Sequence, residues 1–456
     1  MGGAALGGAP SFPIPLLVLV SLLLGTAMVA ALRRVEGRAA RFLIAAIWCR
    51  YILSVFHRYT FGDVVAGFSI NALGSVAITA IGLVVIQPRH LMLKMLMPAY
   101  AIILLALVSA GLNAGVLSGV DMAVKFGYFI VVAVACYEAL RQNGPERLVP
   151  PLLWAFAPLL VFQLLSVATG TVKASELDGS ISYIGGYNHE AAFSVALATF
   201  FVMVCFATSL GRVLKAVLLV VLALGIAAAN YRTTILAVLP LAAWQAVAGT
   251  TLAFRRDQRG IVVLAVSVLA FLGVGILMLG AADRFVDLAH FVQDPGQYIK
   301  PVNEFTVEER RLLSGRAYIW SSYIYTWLDS NGLRHIFGFG PGSWQGWFRV
   351  YPHNTLIAFL FEMGIAGLAA LVWLFWTMFV VALRSGGAMR INLLLAHISF
   401  ILMNLATMAL WQVEGIIFYA LICGFSLFGA VNRRAERRAP PAMDNNIIKG
   451  YESFVG

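Results

Sequence analysis

The stretch VYPHNTLIAFLFEMGIAGLAA, residues 350–370, turns apolar after Asn354 and then carries a single charge, Glu362, as far as Leu383. About 20 apolar residues suffice for a helix to cross the hydrocarbon core of a bilayer. Residues 354–383 therefore read as a membrane span, with His353 and Asn354 at its mouth and Glu362 about two and a half turns down. Similar runs recur from end to end. The 456-residue chain is 61% hydrophobic and 12% charged, with mean hydropathy +0.87. Soluble chains carry about twice that share of charge, so the composition excludes a soluble domain and predicts an all-α polytopic membrane protein.

Spans are expected near 13–32, 42–57, 63–86, 93–112, 116–139, 149–168, 190–209, 214–230, 234–253, 261–280, 354–383, 392–411 and 414–431. The segment 42–57 is short and interrupted by Arg50; laid along the surface, it would leave twelve spans rather than thirteen. The first run lacks a basic leader and a small-residue cleavage site, and reads as a retained span. The expected organisation is N-terminal helices over 1–281, a long connection over 282–352, C-terminal helices over 353–432 and a tail over 433–456.

The formal charge of +11 is mainly a topology signal, not a nucleic-acid surface. Arginines and lysines cluster in alternate connections, among them Arg33 to Arg41, Arg255 to Arg259 and Arg433 to Arg438, and the positive-inside rule makes those connections cytoplasmic. The C-terminus then lies inside and the long connection outside. That connection holds seven acids and seven bases, so it is no basic patch, and a loop of this length usually has structure and a job. Within it, EERRLLSGRAYIWSSYIYTWLDS reads as a helix from Glu308, with Leu313, Arg316, Trp320, Tyr323 and Trp327 on one face, suited to a membrane interface. The four cysteines stand singly and read as packing residues.

Three residues stand out for chemistry. His353, at a helix start, is disfavoured as an imidazolium by the helix dipole and so suits a general base; the competing reading is an interfacial His bonded to a loop carbonyl. Arg232, in NYRTTIL, faces outward against the charge rule, either as a fork for phosphate or as a headgroup anchor. Arg316 is the arginine of the long connection that is flanked by aromatics. The cluster GFGPGSWQG from Gly338 offers either amides to a phosphate or a set of turns. Glu362 points away from His353 and is expected to bond a neighbouring helix, while Gly364 and Gly367 share a stripe that would let another helix approach. In SYIGGYNHEAAFS, Tyr183, Asn188 and His189 either line a substrate site or cap a helix. No nucleotide-binding loop, metal cluster or nucleophile elbow is visible, so neither cofactor nor metal is expected.

The segment HNTLIAFLFEMGIAG from His353, preceded by GFGPGSW, GRAYIW and the outward Arg232, resembles the O-antigen ligase and O-antigen polymerase superfamily. That resemblance implies a GT-C-type glycosyltransferase of the bacterial inner membrane with a periplasmic active site. Its donor would be a glycan on undecaprenyl pyrophosphate, and its acceptor lipid A–core for a ligase or a lipid-linked glycan for a polymerase. His353 would be the base, and Arg232 and Arg316 would bind the pyrophosphate. Asn354, Glu362, Gly364 and Gly367 would support the helix, with Tyr183, His189 and Trp320 near substrate. The rival from another class is a lipid-linked-oligosaccharide flippase, which would account for Arg50, Asp121 and Lys125 but not for His-Asn at a helix start.

Overall fold

The computed structural model describes residues 9–65, 68–174, 181–253 and 295–438, with scattered positions between 255 and 293. Among them the strands are two short antiparallel ribbons, Asp63–Val65 with Phe68–Ser69 and Lys173–Ala174 with Ile181–Ser182; most of the rest is helical. Six helical runs are long and apolar enough to cross a membrane, and Ile70–Val85 and Glu190–Phe206 are shorter apolar helices. The chain is an all-α, membrane-embedded protein.

The first helices are α1 (Ile14–Leu32), α2 (Arg38–Val55), α3 (Ile70–Val85), α4 (Met97–Leu112), α5 (Val116–Leu153) and α6 (Ala157–Thr169). Then come α7 (Glu190–Phe206), α8 (Arg212–Ala228) and α9 (Arg232–Ala253). Beyond position 295 follow α10 (Arg316–Leu328), α11 (Gly332–Phe337), α12 (Thr355–Leu383), α13 (Gly387–Ala406) and α14 (Val413–Arg438). A helix that is apolar all round has to be buried, and α5, α7 and α14 are the central three. Tyr128–Leu140, Phe193–Phe206 and Glu414–Leu427 are each buried without interruption. Stacked rings join them, Phe206 on Phe425 at 4.7 Å and Phe129 on Tyr419 at 5.5 Å. By contrast, α1 buries only Leu17 and Ala31 and turns most of its surface outward.

Several expectations are corrected. The segment 63–86 opens with the first ribbon, because Gly62 and the polar Asp63 precede a helix that waits for the Ser69 cap, whose hydroxyl accepts from the Ala72 amide at 3.1 Å. The separation expected between 116–139 and 149–168 is made by Gly144 alone, at φ 69° and ψ 163°, which breaks the run Val116–Leu153 into two helical pieces without an open loop. The helix expected from Glu308 begins at Arg316, after tight turns over Glu309–Gly315 that end on Gly315 at φ 80°. Leu313 therefore leaves the expected stripe. The span 261–280 lies mostly outside the described residues, as do 439–456 of the expected tail; its first part, to Arg438, continues α14.

Candidate functional site

The long connection folds back onto α12. Tyr323 of α10 stacks on Phe348 at 3.9 Å and meets Phe361 edge-on at 5.1 Å, and Phe361 stacks on Phe339 at 4.5 Å. The aromatic stripe expected at the membrane interface is spent on this internal cluster, because α12 offers it an apolar partner. Two bonds from α10 then fix the segment ahead of α12: Tyr323 Oη donates to the Val350 carbonyl at 2.8 Å, and Trp320 Nε1 donates to the Pro352 carbonyl at 2.8 Å. Trp320 thus holds the turn on which His353 stands.

Asn354 is the cap of α12. Its Oδ1 accepts from the amides of Leu356 at 2.9 Å and Ile357 at 3.2 Å, and its Nδ2 donates to the Leu405 carbonyl at 3.1 Å. Next to it, Thr355 Oγ1 donates to Asn404 Oδ1 at 2.6 Å. The start of α12 is therefore clamped to the end of α13. Loss of a capping side chain costs about 1 kcal/mol, and here the Leu405 bond goes with it. Asn354→Ala is expected to lower the melting temperature measurably, and Asn354→Ser to recover the capping part only; equal melting temperatures for all three proteins would refute the clamp.

His353 sits one residue before that cap with φ 52°, a left-handed conformation that a non-glycine residue seldom adopts. Its ring lies 4.1 Å from that of Tyr351. Burial, then the Arg316 guanidinium, then His189 push its pKa down to about 4. The expected neutral imidazole is thus explained by enclosure and two neighbours as well as by a helix start. The ring releases its proton well below the usual value near 6.5, so it is neutral and able to accept a proton throughout the physiological range. Between about pH 6.5 and about pH 4 the unfolded chain holds more protons than the folded one, so this group's contribution to stability falls as pH falls through that window. In Arg316→Gln one of the lowering charges is gone, and the His353 ring resonance should titrate at higher pH than in wild type; an unchanged midpoint would separate the two residues.

Other helix starts converge here. His189 caps α7, its Nδ1 accepting from the Ala191 amide at 3.1 Å, and burial lowers its pKa also. Glu190 follows it, paired with Lys173 at 2.7 Å. Tyr231, just ahead of α9, feels both Arg316 and Glu190, and Tyr351, pushed up to about 12 by burial, feels Tyr231, Glu190 and Arg316. Arg316 is itself the first residue of α10. The N-termini of α7, α9, α10 and α12 therefore meet around His353 and Arg316, and helix N-termini favour anions. Arg232 stands exposed at the first position of α9, beside Tyr231. Tyr183 lies back from this cluster, its amide bonded to the Ala228 carbonyl at 2.9 Å and its carbonyl accepting from Gln163 at 3.0 Å.

The glycine cluster and Glu362 have a joint role that spacing does not reveal. Inside α12, Gly364 has φ 64° and ψ −165°, so the helix breaks there. The freed carbonyls are taken by the loop: the Phe339 amide donates to the Phe361 carbonyl and the Gly340 amide to the Glu362 carbonyl, each at 2.9 Å, and Ser109 Oγ reaches the Glu362 carbonyl at 2.9 Å. Two of the cluster's amides are thus committed to α12 and not open to a phosphate. At Gly364 another helix does approach, the backbone of His335 and Ile336 in α11 standing where a Cβ would be, and the loop that follows α11 takes the freed carbonyls; Gly367 is crowded by Met363 across the break. The Glu362 carboxyl is buried, completes no hydrogen bond, and faces the Gly342 amide and the Asp121–Lys125 pair.

The chain matches no protein-family model and none of the curated proteins compared with it. Tyr231, Tyr351 and Glu414 join these residues without standing out in the sequence; of the three only Tyr231 carries a local signal, as the neighbour of the anomalous Arg232.

Proposed function

We propose that this protein is an integral-membrane glycosyltransferase that moves a glycan from undecaprenyl pyrophosphate to a sugar hydroxyl of an acceptor, of the O-antigen ligase type. The observation that carries the reading is the meeting of helix N-termini and Arg316 around a neutral His353. Such a cup attracts an anionic pyrophosphate and leaves a free base beside it. His353 takes the proton of the acceptor hydroxyl as its oxygen attacks the anomeric carbon. Arg316 and Arg232 stabilise the charge that develops on the departing pyrophosphate, and attack opposite that group inverts the configuration. In this reading the protein has twelve or thirteen spans in the bacterial inner membrane, with the long connection and the site on the periplasmic face and the C-terminus in the cytoplasm.

The polymerase of the same superfamily uses the same chemistry with a lipid-linked glycan as acceptor, and one experiment tests both. Purified protein in liposomes receives a defined undecaprenyl-pyrophosphate oligosaccharide with either lipid A–core or a second lipid-linked repeat, and products are resolved by gel. Product with lipid A–core is expected, and elongated repeats would assign the polymerase instead. Glycolipid scrambling without product from either acceptor would overturn the transferase reading in favour of a flippase.

A further inference from the structure

Behind the His353 cluster lies a chamber of about 660 Å³, within the range of ligand pockets. His189 and Tyr351 line it together with Arg50, Ser54, Tyr128 and Glu414. These polar groups are held deep among apolar helices, Arg50 at 2% and Glu414 at 4% exposure. Ser54 Oγ donates to Glu414 Oε1 at 2.8 Å, and Arg50 bonds the Asn71 side chain. Arg50 Nε and the Tyr128 hydroxyl meet no partner at all. Buried polar groups cost stability when left unpaired, and here they belong to side chains set into the wall of a space large enough for a ligand. Trp344, Trp411, Phe61 and Phe68 supply flat apolar faces to the same space.

From this arrangement we infer that the chamber is a saccharide subsite for an uncharged sugar ring. A sugar hydroxyl both donates and accepts, which matches a carboxylate acceptor, a guanidinium donor and a phenol that can do either. Aromatic walls suit the apolar faces of the ring. The charges that line the chamber balance, Arg50 and Lys125 against Asp121 and Glu414, leaving no surplus cation for an acidic sugar. The inference rests on the transferase reading, and the sugar belongs either to the donor or to the acceptor.

The test uses full-length protein in nanodiscs. Tyr128→Phe removes only the unpartnered hydroxyl, so its melting temperature should equal wild type while one KM rises severalfold. Glu414→Gln should raise the same KM at least tenfold with kcat little changed. A rise in the acceptor KM assigns the subsite to the acceptor, and a rise in the donor KM to the donor. Independently of turnover, quenching of Trp344 and Trp411 fluorescence is titrated with maltotriose, chitotriose, mannotriose and trigalacturonate, in wild type and His353→Ala alike. Quenching by at least one neutral trisaccharide, and at least tenfold weaker binding of trigalacturonate, is expected even if no transfer is found. Turnover with both KM values unchanged in both variants overturns the subsite and leaves the transferase intact. Quenching by undecaprenyl phosphate alone, or by none of the neutral sugars, overturns it too.

Discussion

His353→Asn and His353→Ala are each expected to lose transfer activity by about 10²–10⁴-fold, the usual contribution of a positioned base, while still binding the lipid pyrophosphate. The asparagine variant is the fairer probe. Position 353 holds φ 52°, and asparagine tolerates that conformation far better than most residues, so its melting temperature should stay at the wild-type value. Any loss of turnover in His353→Asn then belongs to the missing imidazole and not to a displaced α12. In the proposed reading donor affinity rests on Arg316 and the helix starts, so it should change little. An asparagine variant with more than about a tenth of wild-type turnover would fall outside that range and remove the base from the mechanism.

Gly364→Ala is expected to produce the largest loss of stability. Alanine at φ 64° and ψ −165°, a backbone region held almost only by glycine, costs about 1–3 kcal/mol, and its Cβ would lie 2.4 Å from the carbonyl carbon and oxygen of Ile336. Backbone cannot rotate away as a side-chain tip can, and overpacking adds about 1–3 kcal/mol. Gly338→Ala meets the same obstacle from the other side, with φ 73° and 2.3 Å to the Glu362 carbonyl carbon. Both variants should unfold at clearly lower temperature, and because both clashes report one docking point, the double variant should lose less than the sum of the two. Thermal unfolding in detergent with a midpoint within about 2 °C of wild type for Gly364→Ala would contradict the break.

The long apolar runs were legible because a bilayer imposes one length on every helix that crosses it. His353, Asn354, Arg232 and Arg316 were legible as polar residues set where charge is unusual. The break at Gly364 was not, since Glu-Met-Gly-Ile-Ala-Gly inside an apolar run reads equally well as a seam of small residues. Only the loop that supplies the missing bonds, from Phe339 and Gly340, distinguishes the two. Glu414 and Ser54 are bonded across 360 positions of chain, and no local period carries such a pairing. The turns before Arg316 hid behind good helix formers, where Gly315 at φ 80° decides.

The clamp between α12 and α13 also sets an order of events during synthesis. His189, Tyr231 and Arg316 leave the ribosome first, then His353, and the groups that hold its turn in place, Asn404 and the Leu405 carbonyl, emerge some fifty residues later. A nascent chain already inserted through α12 holds His189, Tyr231, Arg316 and His353 but no anchor for the His353 turn. The turn that carries His353 is therefore fixed only when the next helix has been threaded.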